Sequence, residues 1–189
     1  MRAILFAVMF TLTGLLFLPV PAQAQQPAGS FEPAPCMFEI PIFNFTPPEQ
    51  RSPAQRERLA VSDHAVALLK EADTVIVTVP VYNFSLPSTL KAWIDHVCRA
   101  GVTFRYTENG PRGLLADRPV YLVMTSGGVP FGSPMDFASG YLKQVLNFIG
   151  IEDVRLVGAE GVASDAGAAQ QAALNTLDDW LPVPVTRVA

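Results

Sequence analysis

The sequence predicts an α/β fold, an open parallel sheet with helices on both faces, from three observations. Residues 74–79 (Thr-Val-Ile-Val-Thr-Val) and 119–124 are mostly apolar and rich in β-branched side chains, without strict alternation. That is the pattern of parallel strands buried on both faces. Each run leads through a loop of turn-forming residues into apolar positions at helical spacing, so strand and helix alternate.

Taken in order, the first helix spans 52–71. Ser52 is its N-cap, and Pro53 sits at the first helical position, where a missing N–H costs nothing. The strand 74–79 follows. A second helix starts near Ser85, has Pro87 in its first turn and runs to about Arg99, with Leu90, Trp93, Ile94, Val97 and Cys98 on its buried face. After the strand 119–124, a third helix covers 136–150, with Phe137, Tyr141, Leu142, Val145, Leu146 and Ile149 on one face. A strand at 154–158 and a helix at 168–181 complete an α-β-α-β-α-β-α order.

In open α/β sheets ligands sit just beyond the carboxyl ends of the strands. Val81, Tyr82, Asn83 and Phe84 hold that place after the first strand. They offer backbone amides, a side-chain amide and aromatic faces suited to a flat aromatic ligand. Ser126, Gly127 and Gly128 hold the same place after the second, where paired glycines let backbone approach a ligand without a Cβ between. Taken alone, Phe84 and Phe148 also read as core aromatics, and Gly127-Gly128 as a turn before 130–134.

Five segments in order carry a family resemblance: 45–49 (Phe-Thr-Pro-Pro-Glu), Val81-Tyr82-Asn83-Phe84, the run 100–111, Ser126-Gly127-Gly128, and 147–151 (Asn-Phe-Ile-Gly-Ile). Over about residues 45–181 the chain resembles the FMN-dependent NADH:quinone and azo-compound reductases of the flavodoxin superfamily. The resemblance implies a flavodoxin-like sheet of strand order 2-1-3-4-5, of which the visible strands are the third, fourth and fifth. It implies two-electron reduction of a quinone or azo substrate through FMN, with NADH or NADPH as donor. It places Val81, Tyr82, Asn83, Phe84, Ser126, Gly127 and Gly128 against the flavin. Tyr106 and Phe148 match positions lining the substrate pocket across a homodimer interface. No side chain is required as nucleophile or metal ligand. The alternative is a truncated relative with weak or no FMN binding, acting as a non-catalytic interaction or dimerisation module.

The amino terminus departs from the family, whose first strand and serine-containing phosphate loop are not found. Residues 1–24 have a positive start, an apolar core and an A-x-A end, as in a secretory signal peptide. Residues 25–44 read as a linker rich in Pro, Gly and Gln, and 45–189 as the reductase domain, with its first strand and helix missing or replaced. Losing that strand would bare an apolar edge at 74–79, with residues 36–43 the candidate cover, although Pro41 opposes it. Three readings stay open: a signal on an exported, periplasmic protein; a miscalled start on a cytoplasmic one; or residues 2–10 packed as the first strand.

Composition narrows the class. A net charge of −4 leaves no electrostatic footprint for nucleic acid. His64 and His96, the only histidines, both fall within helices, too few to build a zinc site. Neither a G-x-S-x-G elbow nor a G-x-G-x-x-G loop occurs. Cys36 and Cys98 could pair in an oxidising compartment, but Cys98 reads better as a free core thiol.

Overall fold

The computed structural model describes residues 3–6, as backbone, and 44–180. Four parallel strands form one sheet: β1 (Ala3–Phe6), β2 (Thr74–Pro80), β5 (Val120–Ser126) and β6 (Val154–Glu160), in the order β1-β2-β5-β6. The helices are α1 (Pro53–Glu71), α2 (Ser88–Val97), α3 (Ser139–Ile149) and α4 (Ala166–Trp180). A separate antiparallel hairpin, β3 (Phe104–Thr107) and β4 (Gly110–Gly113), follows α2.

α1 begins as its sequence dictates. The Gln55 N–H donates to the Ser52 hydroxyl at 3.2 Å, and the Ser52 N–H donates to Gln55 Oε1 at 2.8 Å, a capping box with proline at the first position. Its carboxyl end is held by Arg118, whose guanidinium donates to the carbonyls of Leu69, Lys70 and Ala72 at 2.6, 3.0 and 2.7 Å. A cation there complements the helix dipole. The buried guanidinium of Arg99 ties the end of α2 back to α1, donating to Ser62 Oγ at 3.0 Å and Asp63 Oδ1 at 2.5 Å, and to Asn44 Oδ1 at 2.9 Å.

The core lies on one face of the sheet. Val75, Val77 and Val79 of β2 and Val120, Leu122 and Met124 of β5 pack with Val66 and Leu69 of α1, Leu90, Ile94 and Val97 of α2, and Leu142, Leu146 and Ile149 of α3. Fully burying each such side chain contributes roughly 1.5–3 kcal/mol. α4 packs on β6 and lies on the other face, where Trp180 meets Tyr121, ring centroids 6.3 Å apart. The expectation of burial on both faces therefore holds on one only: Ile76 and Thr78 of β2 stay half-buried.

Three further expectations are corrected. The edge of β2 is not bare, because Ala3–Phe6 pairs with it, Ala3 opposite Thr74 and Phe6 opposite Val77. The first strand is thus supplied by residues that the signal reading assigns to a leader; a short buried strand and a leader core have the same apolar pattern. Residues 36–43, proposed to cover that edge, and Cys36 lie outside the described residues. α2 starts at Ser88 rather than near Ser85, because Pro87 drives Leu86 away from helical geometry and itself takes the cap, at ψ 142°. The same helix ends at Val97 rather than about Arg99, so Cys98 is its C-cap, half-buried, and burial pushes its thiol up to about 11. α3 starts at Ser139 rather than Asp136, which leaves Phe137 outside the helix and exposed.

Candidate functional site

The carboxyl ends of β2, β5 and β6 converge. The Val81 N–H donates to the Thr125 carbonyl at 2.8 Å, and the Val162 and Ala163 N–H groups donate to the carbonyls of Ser126 and Gly127, both at 3.1 Å. Parallel pairing points the carboxyl end of β1 toward this same edge, with Phe6 opposite Val77.

Beyond β2 the chain turns tightly. The N–H groups of Tyr82 and Ser85 each donate to the other's carbonyl, at 3.0 and 2.9 Å, with Asn83 at φ +47° and Phe84 at φ +69° between them. Two central residues at positive φ match a type I′ turn. Asparagine tolerates that region; a bulky phenylalanine does so only under strain. The turn leaves Tyr82 and Phe84 46% and 49% exposed, so Phe84 is no core aromatic. Strained backbone carrying exposed aromatic rings is concentrated at ligand sites.

Beyond β5, Ser126 is buried and its hydroxyl accepts the Val129 N–H at 2.9 Å. A Cβ placed on Gly128 would meet nothing within 4 Å, and one on Gly127 only Ala163 at 3.8 Å. Neither glycine has a positive φ, so turn geometry does not require glycine at either position. The loop that follows is anchored at two places. The Phe131 N–H donates to Glu160 Oε1 at 2.6 Å, with the Phe131 ring against Gly158. Asp136 gathers the N–H groups of Gly132, Ala138 and Ser139 and the Ser139 hydroxyl. Burial pushes the Asp136 carboxyl up, but the Ser139 hydroxyl and the three amides outweigh it, so the group sits below the usual carboxylate range. The Phe137 N–H then donates to the Phe84 carbonyl at 3.2 Å, joining the two loops.

Val81, Tyr82, Asn83, Phe84, Ser126, Gly127 and Gly128 therefore lie along one sheet edge. Tyr106 and Phe148 do not join them within the chain. Both contact Phe104, Phe148 at 4.3 Å and Tyr106 edge-on at 5.6 Å between ring centroids. Phe148 lies in the last turn of α3, roughly 14 Å along the axis from Ser139 at 1.5 Å per residue. A groove of about 620 Å³ along β6, lined by Lys143, Val154, Arg155, Leu156 and Trp180, shares no residue with the site.

Sequence reasoning missed the anchoring role of Asp136 and the β3–β4 hairpin. An Asp three residues before Ser139 is a capping signal, and Asn109-Gly110 is a hairpin signal. Gly110 takes the positive φ there, at +99°.

An open parallel α/β sheet with a strained aromatic turn and a glycine pair at its carboxyl edge defines a ligand-binding protein of the doubly wound class. A family model described as flavodoxin-like fold matches residues 24–181, and the chain belongs to that family. The match takes in all of the segment read as a linker, 25–44. The chain is 49% identical over 138 residues to FMN-dependent NADH:quinone oxidoreductase 1 of Hahella chejuensis, covering 70% of this chain and 68% of that protein. It is 47% identical over 135 residues to the protein of the same name from a Jannaschia species, covering 71% of each. Among solved structures, an FMN-dependent NADH-azoreductase from Bacillus anthracis in complex with FMN aligns with TM-score 0.63 and 31% identity, over 70% of this chain and 66% of that one.

Proposed function

We propose that this chain is an FMN-dependent oxidoreductase that takes electrons from NADH, or NADPH, and reduces quinones and azo compounds by two-electron transfer. The observation that carries the reading is the Tyr82–Ser85 turn: strained, aromatic and exposed, at the edge where this fold class binds ligands. FMN, when bound, supplies the hydride and electron chemistry. The chain's own part is to bind, orient and shield. Asn83 and the backbone of residues 81–84 offer polar contacts for ring heteroatoms, Tyr82 and Phe84 offer apolar faces, and Gly127 and Gly128 allow close backbone approach.

The active form is a homodimer in this reading. Tyr106 is 73% exposed on the hairpin, which suits it to the pocket of a second copy, and it shares Phe104 as a ring neighbour with Phe148. We further propose that the chain works in the cytoplasm, because Ala3–Phe6, which export processing would remove, serves as β1. Retained Met1 in soluble cell extract is the expected result; a mature start at Gln25 in an exported fraction overturns it.

The test is a titration of the full chain with FMN, followed by NADH under anaerobic conditions. Tight binding, bleaching of the flavin by NADH and recovery of its colour on adding a quinone is the expected outcome. No binding at high FMN overturns the enzyme reading and favours the interaction module.

A further inference from the structure

The loop between β5 and α3 carries a carboxylate to which the flavin reading assigns no role. Asp136 holds the backbone on both sides of Phe137. Its Oδ2 accepts the Gly132 N–H at 2.8 Å and the Ser139 hydroxyl, and its Oδ1 accepts the Ala138 and Ser139 N–H groups at 3.0 and 2.9 Å. Phe137, next in sequence and fixed on both flanks, has its N–H on the Phe84 carbonyl at 3.2 Å. Phe84 is the second of the two positive-φ residues. A turn in a sparsely populated conformation persists only where its surroundings over-determine it. The paired bonds between Tyr82 and Ser85 close the turn upon itself; the Phe137 bond fixes it to the loop beside it.

We propose that Asp136 is a positioning residue for the flavin-facing turn, acting through the Phe137 N–H on the Phe84 carbonyl to hold Tyr82 and Phe84 in their binding orientation. The proposal rests on the flavin reading. Glu160 provides the internal comparison. It anchors the same loop through the Phe131 N–H, at the end away from Phe84.

The experiment compares full-chain wild type, Asp136→Asn and Glu160→Ala by FMN fluorescence titration, visible circular dichroism of the bound flavin, and melting of the flavin-free protein. Asparagine keeps the size of the side chain but turns one accepting oxygen into a donor. Loss of a charge-assisted bond corresponds to about tenfold weaker FMN binding. Asp136→Asn is expected to show that change together with an altered flavin dichroism, whereas Glu160→Ala stays within about twofold of wild type by the same arithmetic. Wild-type affinity and dichroism in Asp136→Asn, whatever its melting temperature, overturn the proposal and leave Asp136 a helix cap. Should Asp136→Asn not fold, Asp136→Ser takes its place. A serine still caps the amides of Ala138 and Ser139 but is too short to hold Gly132, and the same two outcomes decide. A wild-type chain that binds no FMN removes the flavin reading and this proposal together. Wild-type binding matched by the variant removes this proposal alone.

Discussion

Phe84 is held at φ +69°, where an L-residue with a large side chain is disfavoured by about 1–2 kcal/mol. Phe84→Gly is therefore expected to separate folding from binding. Relief of the strain, less the added chain entropy of glycine, leaves stability unchanged or raised by up to about 1 kcal/mol. FMN affinity falls, because the aromatic face is gone. Urea unfolding and flavin titration on the same preparation check the two signs; a fall in stability with unchanged affinity refutes the assignment. Asp136 makes a pH prediction. Its folded-state carboxyl lies below its ordinary value, so the stability it contributes is complete above about pH 4 and drains away as pH falls through the lowered value. Asp136→Asn removes that part of the acid dependence, visible as a shallower decline in unfolding free energy as pH falls below about 4. Asn83 carries a local signal for positive φ, because asparagine tolerates that region, although the sequence is read only for its side-chain amide. Phe84 carries none, since its conformation opposes its own propensity and is imposed by the fold around it.

At the scale of elements, the hairpin and α3 meet backbone to backbone. A Cβ on Gly113 would fall within the van der Waals radii of Gly150 N and Cα, and Gly150 itself caps α3 at φ +107° while the Leu115 N–H donates to the Ile149 carbonyl at 3.0 Å. Gly113→Ala is expected to force the hairpin off the helix end, at a cost of about 1–3 kcal/mol. Tyr106 shifts with it, so the melting temperature drops and, on the proposed role of Tyr106, quinone turnover drops with it; an unchanged melting temperature contradicts the contact. The cap at Ser52 and Pro53 and the run beginning at Thr74 were legible because their signals are local. Phe137 was misplaced because helical spacing counts it one turn too early, before Ala138, where the helix has not begun. The Phe104–Phe148 pairing had no local signal: it joins residues 44 positions apart by chain numbering.

For the whole molecule, the decisive element is β1. Its pairing covers the edge of β2, and an unpaired apolar edge recruits other chains. Deleting residues 2–6 is expected to produce concentration-dependent association in light scattering and a lower melting temperature. A deleted chain that keeps wild-type size and stability would show that Ala3–Phe6 has no such part. The sheet's parallel character and the place of its ligand edge were readable from strand, loop and helix in succession. Which segment fills the edge position was not, because an apolar run of that length has several physically equivalent uses. One consequence of α3 reaches across the whole architecture. The helix is pinned by Asp136 at the carboxyl edge of the sheet and abuts the hairpin at Gly150. It therefore works as a lever arm: a tilt of about 5° pivoting near Ser139 displaces Phe148 by roughly 1 Å, given a rise of 1.5 Å per residue. A load on the loop at one end and a load on the hairpin at the other are, mechanically, two loads on a single beam.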